Sequence, residues 1–89
     1  MKTIYKYPIY PADYVEVEMP AGAEILTVQL QRNQLCLWAL VDSAAPVRKC
    51  RFRIAGTGHP LDDEVVASKY VGTFQLNDGQ FVFHVFQIN

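Results

Sequence analysis

Apolar and polar residues alternate with a period of two along almost the whole chain, which is the signature of half-buried β-strands. Tyr14–Met19 sets Val15, Val17 and Met19 against Glu16 and Glu18. Pro20-Ala21-Gly22-Ala23 breaks that run, because proline cannot donate to a ladder and glycine accepts turn angles. Ile25–Gln31 predicts the next strand, with Leu26, Val28 and Leu30 on one face. After the polar turn Arg32-Asn33-Gln34, the segment Leu35–Val41 is apolar on both faces. The two segments read as a hairpin. A strand apolar on both sides is expected to be central in its sheet, or covered by a partner subunit on its outer face.

Val47–Ala55 has the cleanest alternation, with Cys50, Phe52 and Ile54 on one side and Lys49, Arg51 and Arg53 on the other. Gly56-Thr57-Gly58-His59-Pro60 ends it sharply. Leu61–Ser68 lacks strand character, and Asp62-Asp63-Glu64 could cap one helical turn. Lys69–Leu76 and Gln80–Ile88 flank Asn77-Asp78-Gly79, a strong hairpin signal because an Asp-Gly pair supplies positive backbone angles. Tyr5, Tyr7, Ile9 and Tyr10 extend the pattern to the start of the chain, and Pro8 predicts a sheet edge there. The expectation is an all-β domain spanning residues 1–89, with about seven antiparallel strands in a small sandwich or barrel.

Composition changes this picture little. With 89 residues, 51% of them hydrophobic and 19% charged, the chain suits one hydrophobic core. A domain of this size buries roughly 60–65% of its unfolded surface, so association would add burial that the monomer lacks. No apolar run reaches the roughly 18–20 residues of a membrane span. Met1–Tyr7 has no secretory pattern, and a cytoplasmic location is expected. Cys36 and Cys50 are the only cysteines and read as free thiols in apolar stretches. A disulfide between them would need an oxidising compartment.

Charge is near neutral overall at −1, yet Ala44–Pro60 holds four cations and no acid. Lys49, Arg51 and Arg53 form a row with roughly 7 Å between neighbours. Such a row suits an anion, although Glu16 and Glu18 on another strand could equally pair with it. Gly56, Thr57, Gly58 and His59 follow directly, and flexible glycine turns can present backbone N–H groups to an anion. The run has neither Walker nor dinucleotide-fold spacing. The candidate ligand-binding residues are therefore Lys49, Arg51, Arg53, Gly56, Thr57, Gly58 and His59.

His84 shares a face with Val82, Phe86 and Ile88 and reads as a hydrogen-bonded core or interface histidine. No catalytic or metal-binding spacing is recognisable, so neither an enzyme nor a cofactor is expected. Phe74, Phe81, Phe83 and Phe86 read mostly as core, while the five tyrosines suit interfaces or base stacking. Near-neutral charge argues against duplex DNA as a partner.

Read together, several segments carry a resemblance: Met1–Pro8, Pro20–Leu26, Cys36–Val41, Phe52-Arg53-Ile54, Gly56–Pro60, Tyr70–Phe74 and Phe83–Phe86. Through them the chain resembles a group of small proteins encoded by tailed phages and prophages. That group has no assigned activity, so the resemblance implies no site residues. It implies a setting, the cytosol of an infected bacterium, where small accessory phage proteins resemble inhibitors or oligomeric traps aimed at host defence. The leading expectation is a non-enzymatic homo-oligomer that sequesters an anionic signal, a cyclic or linear nucleotide. The alternatives are a protein-binding inhibitor of a host defence enzyme and a minor virion or assembly component.

Overall fold

The computed structural model describes all of residues 1–89. The strands are β1 (Lys2–Pro8), β2 (Tyr14–Pro20), β3 (Glu24–Gln31), β4 (Gln34–Asp42), β5 (Val47–Gly56), β6 (Tyr70–Leu76) and β7 (Phe81–Gln87). They form a sandwich of two antiparallel sheets, one three-stranded in the order β1-β4-β3 and one four-stranded in the order β2-β5-β7-β6. Of the two architectures expected from the alternation, the sandwich is the one formed.

Alternation sets what each sheet turns inward. Leu35, Leu37, Ala39 and Val41 of β4 meet Phe52 and Ile54 of β5, Met19 of β2, Phe74 of β6 and Val85 of β7 in one buried cluster. Phe52, Met19, Leu37 and Val85 lose all contact with solvent. Burying side chains of this size contributes about 1.5–3 kcal/mol each.

At one side β3 lies close against β6. A Cβ on Gly72 would sit 2.9 Å from Cγ1 of Val28, so only glycine lets the two strands approach this closely.

Two hairpins use left-handed residues as the turn chemistry requires. Arg32 and Asn33 take φ 50° and 67°, and Asn77, Asp78 and Gly79 take 52°, 54° and 90°. β1 is an edge strand, as Pro8 implies, and β4 is the centre of its sheet.

Three expectations need correction. A bulge between Ile25 and Thr27 changes the face of the first half of β3. Ile25 joins Val28 and Leu30 against the core, while Leu26 turns outward and stays 49% exposed. An extra residue on one strand reverses the side-chain direction beyond it, which simple alternation cannot anticipate. Of the phenylalanines read as core, Phe81 is 46% exposed at the start of β7 and Phe86 lies on the outer face of its sheet, level with Arg53. The one helical turn forms at Ala67–Lys69 as a 3-10 turn rather than at the acids, where Asp62 instead accepts from the Glu64 N–H at 3.3 Å.

Candidate functional site

The cationic row lies on the outer face of the four-stranded sheet, and the β2–β5 register sets an acid or an aromatic ring opposite each cation. Glu18 faces Lys49, Glu16 faces Arg51 and Tyr14 faces Arg53. Opposite charges in directly facing positions stabilise a sheet by roughly 0.2–1 kcal/mol per pair.

Arg53 is the most committed of the three, with its side chain only 13% exposed. Its guanidinium donates to the Asp13 carbonyl oxygen at 3.2 Å and to the Ile54 carbonyl oxygen, and lies 3.8 Å from the Asp13 carboxylate. It also sits 5.2 Å from the centre of the Tyr14 ring. The same row continues across the sheet as Phe86 and Tyr70, whose rings meet edge to face at 5.5 Å. Arg53 thus closes a row of four side chains that spans every strand of its sheet.

The Gly56–His59 loop lies at one end of this sheet, beside the β6–β7 turn. The Thr57 N–H donates to the Val82 carbonyl at 3.2 Å, which laces the loop to β7. The His59 N–H donates to the Gly56 carbonyl at 3.1 Å, and Gly58 takes φ 87°. His59 folds back over Gly56, where an added Cβ would approach within 2.9 Å of the imidazole. A cleft of about 350 Å³ opens here, bounded by the loop and by Gln80–Phe83. Phe81, Thr57 and His59 all line it.

His84 adjoins the loop on the outer face of the sheet. Its Nε2 is 2.6 Å from the Thr57 hydroxyl and its Nδ1 is 2.9 Å from the Thr73 hydroxyl, which in turn hydrogen-bonds Tyr70. Both ring nitrogens are hydrogen-bonded, as expected, but the ring lies half-buried on the outer face rather than in the core. A hydroxyl, an imidazole and a third group in series also describe an activated nucleophile. Here the third group is a neutral hydroxyl, which cannot stabilise an imidazolium as a buried carboxylate does. The chain of contacts ties the loop to β6 and β7 and fixes the ring.

Of the seven residues singled out in the sequence, Gly56, Thr57 and His59 line one cleft, and Gly58 shapes their loop. Lys49 is roughly 23 Å from Gly56 by strand rise, and Arg53 roughly 10 Å. Sequence reasoning missed Gln80 and Phe81 in the cleft and Thr73 beside His84. The Asn77-Asp78-Gly79 turn held the signal, because once it fixes the hairpin, Thr73 falls opposite His84 and Leu76 opposite Phe81.

Cys36 and Cys50 are both free, one buried and one half-buried, and burial pushes the Cys50 thiol up. No helix is long and apolar enough to cross a membrane.

No curated protein and no solved structure matches the chain. A family model matches it over residues 1–89. The chain therefore belongs to that family, described as a domain of unknown function (DUF7352).

Proposed function

We propose that the chain is a non-enzymatic binding protein that seats a small anionic ligand of the nucleotide class in the cleft between the Gly56–His59 loop and Gln80–Phe83. The observation that carries this reading is the composition of that cleft. It combines an exposed aromatic residue, Phe81, with a glycine turn and the imidazole of His59. An aromatic face stacks on any base, and with the Thr57 and His59 N–H groups bonded within the chain, the Gly58 N–H is left to meet a phosphate. About 350 Å³ falls within the range of small-molecule sites.

The paired cations of β5 then act at a distance, by attracting the ligand rather than by touching it. In the setting implied by the resemblance to tailed-phage proteins, the ligand is a nucleotide signal of the bacterial host, and binding removes it from its receptor.

A thermal-shift screen against mononucleotides, cyclic nucleotides and inorganic phosphate tests the reading. At a hundredfold excess over Kd a ligand selective for the folded state adds about 2.7 kcal/mol, a Tm rise of roughly 10 °C or more for a domain of this size. The rise should saturate for a nucleotide class, disappear in Phe81→Ala, and persist in Lys49→Glu. No shift with any nucleotide would overturn the proposal.

A further inference from the structure

The outer face of the three-stranded sheet is unlike any other surface of the molecule. Ile4 of β1, Trp38 and Leu40 of β4, and Leu26 at the β3 bulge converge there. Ile4 is 55% exposed and Leu26 49% exposed, and both border a shallow apolar groove with Trp38. Tryptophan in such a setting is typical of the centre of a protein interface. The charges that frame this patch are segregated. Lys2 and Lys6 point outward from β1 on one flank, while Glu24 points outward from β3 on the other. Asp42 of β4, level with Lys2, is neutralised by the Met1 ammonium at 3.0 Å, and Lys6 donates to Gln31 at 2.9 Å.

That segregation is self-complementary. Two copies stacked face to face are related by a twofold axis lying in the interface plane, and two directions are available. An axis across the strands would set β1 on β1 and bring lysine against lysine. An axis along β4 sets β1 of each copy over β3 of the other. The register then decides the contacts. Glu24 lies level with Leu40 and Ile4, one outward position from Lys2 on one side and from Lys6 on the other.

We infer that the chain forms a symmetric homodimer through this face, with the twofold axis along β4 and Glu24 of each copy seated between Lys2 and Lys6 of the partner subunit. Strand directions stay aligned across the interface, the arrangement that packed sheets favour. Edge-to-edge pairing is disfavoured, because Pro8 interrupts the β1 edge and β3 bends at its bulge against β6. Strand rise and spacing give the face a footprint of roughly 25 by 14 Å. That is roughly 350 Å² per copy, below the roughly 800 Å² per partner of a standard specific interface, so the dimer is weak and dissociates on dilution. The inference is independent of the ligand cleft, which is built from the other sheet.

Sedimentation and light scattering across a concentration series test it, with the Trp38 emission followed on dilution. The expected result is a monomer–dimer equilibrium whose dissociation shifts Trp38 emission to the red. Trp38→Glu should be monomeric at every concentration, with circular dichroism reporting its fold. Ile4→Glu carries the same test at a more exposed site if Trp38→Glu fails to fold. Glu24→Lys should weaken the dimer at least tenfold, and Lys2→Glu/Lys6→Glu/Glu24→Lys should restore it. A wild-type chain that stays monomeric overturns the inference, as does a dimer indifferent to both Trp38→Glu and Ile4→Glu. A dimer that ignores Glu24→Lys, or that charge reversal fails to restore, overturns the axis.

Discussion

The outer faces of the two sheets are made from the same kind of strand and solve opposite problems. On the four-stranded sheet, β5 turns Lys49, Arg51 and Arg53 to solvent, and β2 sets Glu18, Glu16 and Tyr14 directly opposite them. On the three-stranded sheet, β4 turns Trp38 and Leu40 outward, with Ile4 and Leu26 beside them. The first face sets an acid or a ring opposite each cation, with Arg53 held 3.8 Å from Asp13, whereas the second leaves apolar surface in water. A charged row on a strand is thus no more a binding site than an apolar one. What matters is whether the neighbouring strand already answers it.

Breaking the core that both faces share should have the largest effect. Phe52→Ala should cost about 3–5 kcal/mol in denaturant unfolding, because the ring is fully buried between the sheets. Arg53→Ala should cost about 1–2 kcal/mol by the same measurement, through its lost bond to the Asp13 carbonyl and its place over the Tyr14 ring. Arg53→Lys should recover little of that loss, since an ammonium cannot reproduce the planar contacts.

Reversing one charge of a facing pair sharpens the comparison further. Glu16→Lys should lower stability by about 0.5 kcal/mol, and adding Arg51→Glu should return most of it. The coupling should shrink in high salt. If the two changes are merely additive, the pairing of this face is not what stabilises it.

The smallest effect belongs to Asp42, at the end of β4. The Ala44 N–H, and after it the Met1 ammonium, hold its carboxyl below the usual carboxylate range. A depressed folded-state value means a contribution present above the ordinary pKa of about 3.9 and lost as pH falls through the lower folded value. Asp42→Asn should remove that part of the acid dependence, seen as a flatter Tm-against-pH curve below about pH 4.

Much of the architecture could be read from local pattern. The alternation in β2 and β5 marks their inward faces, and Arg32-Asn33 and Asn77-Asp78-Gly79 locate both tight hairpins. The register of β2 against β5 could not be read in the same way. These strands are far apart in sequence, and no turn fixes how Glu16 meets Arg51. The β3 bulge was hidden too, because Leu26 is as apolar as the Ile25 that replaces it in the core. At the cleft, the glycine loop was legible from its punctuation. The part played by Phe81 was not, since a phenylalanine at a strand start looks like core until the packing shows nothing over it.

The paired cations and the glycine loop make different claims on an anionic ligand, and an amide NMR titration with AMP separates them. The expected result is saturable shifts centred on Thr57–His59 and Phe81–Phe83, with Lys49 and Arg51 nearly still. Shifts centred on Lys49 and Arg51 would place the ligand on the charged row and contradict the cleft as the binding site.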